Sequence, residues 1–110
     1  MSDKPLAEEL MERMVKQYDS SVYSTDTEVT FNFSGEGAGN SPYYLKFQNG
    51  RVSWHQGELQ YCKLTIECEA KMWQDILDKK LPWDMMNRPY IIKGNNFAML
   101  VKFPQIFRFA

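Results

Sequence analysis

The stretch Tyr43-Tyr44-Leu45-Lys46-Phe47-Gln48-Asn49-Gly50-Arg51-Val52-Ser53-Trp54-His55 decides how this chain folds. Tyr43, Leu45 and Phe47 alternate with Tyr44, Lys46 and Gln48, so an extended segment here has one apolar and one polar face. Asn49-Gly50 follows at once. Both central residues of a type I′ turn need positive φ, which Asn and Gly tolerate best. Val52 and Trp54 then resume the alternation against Arg51, Ser53 and His55. The result is a β-hairpin with one greasy face.

The same period extends outward in both directions. Upstream, Val29, Phe31 and Phe33 alternate with Glu28, Thr30 and Asn32. Downstream, residues 61–69 place Cys62, Leu64, Ile66 and Cys68 on one face and Lys63, Thr65, Glu67 and Glu69 on the other. Four such strands imply an antiparallel sheet covered on one side only. Ser34 to Pro42, rich in glycine, reads as a flexible hairpin connection. At both ends the period changes to that of a helix. In residues 4–18, Leu6, Leu10, Met14 and Tyr18 recur every four positions, with Ser2 or Asp3 as a cap and Pro5 in the first turn. In residues 70–79, Met72, Trp73, Ile76 and Leu77 share a face. Pro82 breaks this helix and opens a short one, Trp83–Asn87, which Pro89 stops. Tyr90-Ile91-Ile92 reads as a fifth strand ended by Gly94. Asn95 or Asn96 caps a last helix with Phe97, Leu100, Val101 and Phe103, which Pro104 should kink or end. The fold class is therefore α+β. Residues 1–110 form a single two-layer domain, with a five-stranded, mainly antiparallel sheet and helices covering one face.

Composition narrows the function. The 110 residues carry 13 basic and 14 acidic side chains, a net charge of −1, which does not favour a general grip on nucleic acid or anionic membrane. No apolar run approaches the roughly 20 residues of a membrane span. The start, Met-Ser-Asp-Lys-Pro, lacks the apolar core of a secretory signal, and the expected location is cytoplasmic. Cys62 and Cys68 are too few for a disulfide framework.

No catalytic or metal-binding constellation emerges. The glycine loop lacks the Gly-Lys-Ser/Thr ending and following helix of a phosphate loop. His55, the single histidine, falls on the polar sheet face beside Arg51 and Ser53. The cysteines alternate with apolar neighbours, which suits inert thiols. Tyr44, Lys46, Arg51 and Lys63 decorate a face shared with Glu28, Glu67 and Glu69, so a solvated surface is the simpler reading than a single-strand platform. What remains is apolar. The segment Met72 to Phe109 is dense in Trp, Met and Phe, residues that pack adaptably and suit either a core or a pocket for flexible apolar ligands.

The layout and several local motifs resemble the sterol-carrier-protein, or nonspecific lipid-transfer, domain over nearly the whole chain. Gly35…Tyr43-Tyr44-Leu45…Asn49-Gly50 is similar to the family's hairpin region. Leu64-Thr65-Ile66…Trp73…Ile76-Leu77 looks like its fourth strand and following helix. Ile91-Ile92-Lys93-Gly94-Asn95, followed by Ala98 and Val101-Lys102-Phe103, is similar to its final strand, glycine and helix. The chain departs from the pattern at Glu69-Ala70-Lys71, where the family commonly has a Ser or Asp cap, at the extra residue Asn96, and at Pro104.

The resemblance implies a non-catalytic carrier without cofactor or metal. A tunnel between sheet and helices would bind or transfer a fatty acyl chain, acyl-CoA, phospholipid or sterol-like molecule. Its expected lining from the helix after the fourth strand and the loop beyond is Trp73, Ile76, Leu77, Trp83, Met85 and Met86. The last helix and tail add Phe97, Leu100, Val101, Phe103 and Phe107. Phe31, Phe33 and Trp54 read first as plain core and second as the tunnel's floor, and Lys93 or Lys102 would hold an anionic headgroup. The expected partner is a hydrophobic small molecule or lipid, with no nucleic acid and no stable membrane insertion. The alternative is an interaction module with a filled core, whose aromatic tail, Ile106 to Phe109, docks on a partner enzyme or forms a weak homodimer.

Overall fold

The computed structural model describes residues 4–83, 91–94 and 96–109. Its elements are α1 (Leu6–Gln17), β1 (Thr27–Ser34), β2 (Tyr43–Gln48), β3 (Arg51–Gln56), β4 (Leu64–Glu69), α2 (Ala70–Leu77), β5 (Ile91–Gly94) and α3 (Phe97–Ile106). The architecture is α+β, as the alternating and helical periods require. The hairpin of β2 and β3 closes at Asn49 and Gly50 with φ of 55° and 75°. Its register pairs Gln48 with Arg51 and Leu45 with Trp54.

The sheet order is β3-β2-β1-β4-β5. β1 lies at its centre, antiparallel to β2 and parallel to β4. The sheet is thus mixed, and β4 does not neighbour β3 as a simple antiparallel run of four strands would have it. Alternation fixes the face a residue occupies. It carries no information on which strand lies alongside or in which direction.

The apolar faces meet the helices on one side. Val29, Phe31, Tyr43, Leu45, Leu64 and Ile66 are fully buried, as are Met11 and Met14 of α1, Trp73 and Ile76 of α2, and Leu100 and Phe103 of α3. Three expectations are corrected. First, β4 begins at Leu64, so Cys62 lies outside it. The Cys62 thiol is half-buried and donates to the carbonyls of Glu28 and Leu64 at 3.4 and 3.1 Å. Second, the glycine loop is seated rather than flexible. The Ala7 N–H at the start of α1 donates to the Gly37 carbonyl at 2.8 Å, and a Cβ on Gly37 would stand 2.8 Å from Leu6 Cβ. Third, Pro104 lies inside α3 and does not end it. Asn96 caps this helix, accepting from the Met99 N–H, while the expected helix Trp83–Asn87 and the caps Ser2 and Asp3 fall outside the described residues apart from Trp83.

α1 ties α2 and α3 together. Arg13 pairs with Asp78 and donates to the Leu77 carbonyl at 2.9 Å, taking up a free acceptor at the end of α2. Gln17 donates to the Phe107 carbonyl at 2.8 Å, and the Asp19 N–H to that of Ile106 at 2.8 Å. The last turn of α3 is anchored in the same way.

Candidate functional site

The helices bury an aromatic cluster against the sheet. Trp73, from the centre of α2, has no exposed surface and donates its indole N–H to Met14 Sδ at 3.3 Å. Its ring meets Phe31 of β1 at 5.3 Å, Trp83 at 5.7 Å and Phe103 of α3 at 6.3 Å. Trp83 stacks on Phe103 at 5.2 Å, and Phe109 closes on both tryptophans at 6.3 Å. Phe107 links Phe103 to Phe47 of β2. Edge-on and offset contacts of this kind are worth about 0.5–1.5 kcal/mol each beyond the area they bury.

Pro104 explains how Trp83 is held. A helix bond runs from each N–H to the carbonyl four residues earlier, and proline has no N–H, so Leu100 loses its partner. The Trp83 indole N–H donates to that carbonyl at 3.0 Å. The loop after α2 is thereby pinned to α3. Next to this contact a hollow of about 290 Å³ opens to solvent, lined by Lys79, Leu81, Pro82, Trp83, Pro104 and Phe109. It lies just below the roughly 300–1,000 Å³ of pockets that enclose small ligands. It is the point where the cluster reaches the surface.

The expected lining divides in three. Trp73, Ile76, Leu77, Leu100, Phe103 and Phe107 are brought into one buried cluster, and Trp83 stands half-buried at its rim. Phe97 and Val101 face outward, 60% and 64% exposed, on the side of α3 opposite the core. Met85 and Met86 lie outside the described residues. Of the floor residues, Phe31 touches Trp73 and stacks on Phe33 at 5.9 Å, whereas Trp54 packs on Tyr43. Lys102 is exposed, and Lys93 is bound to Glu67 at 3.2 Å.

Leu81, Pro104 and Phe109 border the hollow although the helical spacing did not single them out. Phe109 turns inward because Arg108 takes a φ of 55°, a local reversal without a hydrophobic period. The aromatic tail is not a free docking element. Ile106, Phe107 and Phe109 are all buried in the molecule's own core, so the alternative reading loses its surface.

The other titratable groups sit apart. His55 is exposed, stacks on Tyr44 at 5.0 Å and shares a 2.9 Å hydrogen bond with Ser53 Oγ. Burial pushes the Cys68 thiol up to about 12, with nearby Glu69 adding to it. Tyr43 is raised by burial, and its hydroxyl accepts from the Asn40 N–H and donates to Glu8. Among the described residues no group of His, Cys, Asp and Glu is placed to hold a metal ion, and no helix is long and apolar enough to cross a membrane.

No protein-family model matches the sequence, and no curated protein matches it. Solved structures do share the fold. The sterol carrier protein 2 from Aedes aegypti, in complex with palmitate, is similar with a TM-score of 0.64 at 16% identity, over 96% of both chains. The ubiquinone synthesis protein UbiJ-SCP2 is similar with a TM-score of 0.67 at 10% identity, over 94% of both. A stereoselective inverting sec-alkylsulfatase from Pseudomonas sp. is similar with a TM-score of 0.65 at 14% identity. That match covers 86% of this chain but only 15% of the sulfatase.

Proposed function

On the premise of a sterol-carrier-protein-2-like fold, we propose that this protein is a non-catalytic carrier of hydrophobic molecules. The ligand class is a fatty acyl chain or a molecule that carries one. The observation that supports this most is the aromatic cluster between sheet and helices, which opens to solvent at Leu81, Trp83 and Phe109. The Aedes aegypti sterol carrier protein 2 of the same fold binds palmitate. Each methylene moved from water to an apolar site contributes about 0.8 kcal/mol, so an acyl chain needs no specific polar contact. Phe103, Phe109 and the two tryptophans pack together in the space between sheet and helices. Uptake therefore proceeds by displacing these rings, with the tie from Trp83 to Leu100 as the contact that opens.

Native mass spectrometry of the purified protein, with solvent extraction and identification of bound species, tests the proposal. A stoichiometric lipid or acyl species is the expected result. An apo mass that stays clean after incubation with fatty acids, acyl-CoA and sterols would sink it. Leu81→Glu puts a charge at the rim, where the side chain is only half-buried. It is expected to weaken fatty-acid uptake by about tenfold or more with the fold intact, because a carboxylate resists transfer into an apolar opening. Unchanged uptake would move the entry elsewhere.

A further inference from the structure

The outer face of α3 takes no part in the cluster. Phe97 and Val101, one helical turn apart, are exposed, and so are Ala98 and Lys102 beside them. Pro104, the next residue on this stripe, already lines the hollow with Leu81, Trp83 and Phe109, and Lys79 stands at the rim. The exposed apolar stripe thus runs into the mouth of the candidate site.

Charge is divided unevenly along the chain. From Lys71 to Ala110 there are seven basic residues against three acidic, whereas residues 1–70 hold six against eleven. Of these, Asp78 is paired with Arg13, Lys93 with Glu67 and Arg108 with Asp19, and Asp84 and Arg88 lie outside the described residues, which leaves Lys71, Lys79, Lys80 and Lys102 against Asp75. Lys79, Lys80 and Lys102 are exposed and form no ion pair among the described residues. The opening turns of α1, by contrast, carry Glu8, Glu9 and Glu12. Exposed apolar side chains flanked by lysines match a surface that is anionic outside and apolar beneath.

We propose that the outer face of α3, through Phe97 and Val101 flanked by Lys102 and Lys79, docks onto an anionic phospholipid bilayer and turns the hollow toward the lipid. The contact rests on α3 and its charges. Only its purpose, loading or unloading a ligand, rests on the carrier role proposed above. A second copy of the chain fits this face less well. A two-fold contact would set its lysines against the same lysines, whereas an anionic surface attracts them.

Flotation with vesicles tests the proposal, using phosphatidylcholine alone and phosphatidylcholine with about 30% phosphatidylserine. The protein is expected to float with the anionic vesicles, and less so at about 0.5 M salt, which screens the lysines. The double variant F97S/V101S should bind about tenfold or more weakly, because both side chains stay out of the apolar layer. Lys102→Glu should bind about fivefold or more weakly. Circular dichroism and fatty-acid binding without vesicles are expected to be unchanged in F97S/V101S, whose side chains face away from the cluster. A failed contact is thereby distinguished from a failed carrier. Two results overturn the proposal: no flotation of the unmodified protein with anionic vesicles, or equal flotation of F97S/V101S. A dimer in solution that F97S/V101S abolishes, without flotation, would give the stripe to a second copy instead.

Discussion

Cys68 shows how burial sets the chemistry of one residue. It faces inward from β4, and its thiol is held up to about 12 against an ordinary value of 9.0, chiefly because a thiolate would lose its hydration there. The folded chain therefore keeps this proton at a pH where the unfolded chain releases it. The associated stability is fully present below pH 9.0 and is lost as the pH rises toward about 12. Denaturant unfolding of the parent protein and of Cys68→Ala across this window should show a steeper loss in the parent. Identical slopes would mean the thiol titrates as if exposed. The inward placement of Cys68 was legible in the alternation of residues 64–69. That of Cys62 was not: the alternation puts it in the strand, whereas β4 begins at Leu64 and the thiol turns to the carbonyls of Glu28 and Leu64.

At the scale of elements, α3 and β5 depend on contacts that helix and strand periods do not encode. The Leu100 carbonyl, orphaned by Pro104, is satisfied by the Trp83 indole. Trp83→Phe should cost about 1–3 kcal/mol by leaving that acceptor unpaired. Pro104→Ala restores a helical N–H to the same carbonyl, so Trp83→Phe should cost measurably less in that background. A double-mutant cycle with no coupling would show that the indole only packs. Gly94, at the end of β5, has a φ of +117°, and a Cβ there would stand 2.0 Å from the Lys63 carbonyl oxygen. Backbone cannot yield as a side-chain tip can. Gly94→Ala is expected to cost about 2 kcal/mol or more, read as a lower urea midpoint, by displacing β5 from Leu64 of β4. An unchanged midpoint would mean that β5 contributes little to the fold. The apolar run Tyr90-Ile91-Ile92 signalled a strand, but only the register against β4 shows why the glycine is required.

For the whole molecule, the filled interior governs what a ligand does. Leu100 belongs to the general core, with no exposed surface, so Leu100→Asp would break the fold before it reported on uptake. Ligand stabilisation is the cleaner measurement. A ligand that binds only the folded chain adds about 2.7 kcal/mol at a hundred times its Kd. In a domain of this size that raises the Tm by roughly 10 °C. Thermal melts with a fatty acid below its micellar concentration should show this rise, and Leu81→Glu should reduce it. A flat Tm across acyl chains and sterols would leave the cluster as core alone. The charge distribution belongs to the same scale. A net charge of −1 conceals a basic C-terminal segment whose lysines flank the exposed face of α3.

The α+β class, all five strands, the Asn49-Gly50 turn and, Thr30 and Cys62 apart, the side chains that each sheet face buries are legible in the order of residues alone. Those features follow from local periods and from the φ that individual residues tolerate. Of the eleven side chains expected to line a cavity, Trp73, Ile76, Leu77, Leu100, Phe103 and Phe107 fall in one buried core cluster, since apolar residues on facing elements must share a core. That β1 runs parallel to β4 and that α3 continues through Pro104 emerges only once the chain is folded. The same holds for Phe97 and Val101 facing solvent while Phe109 closes the cluster. A helix whose only polar side chains are Lys102 and Gln105 gives little moment by which to orient it. Its rotation was fixed by the Trp83 indole, the Asn96 cap and the grip of Gln17 on Phe107, all between residues that no local pattern connects.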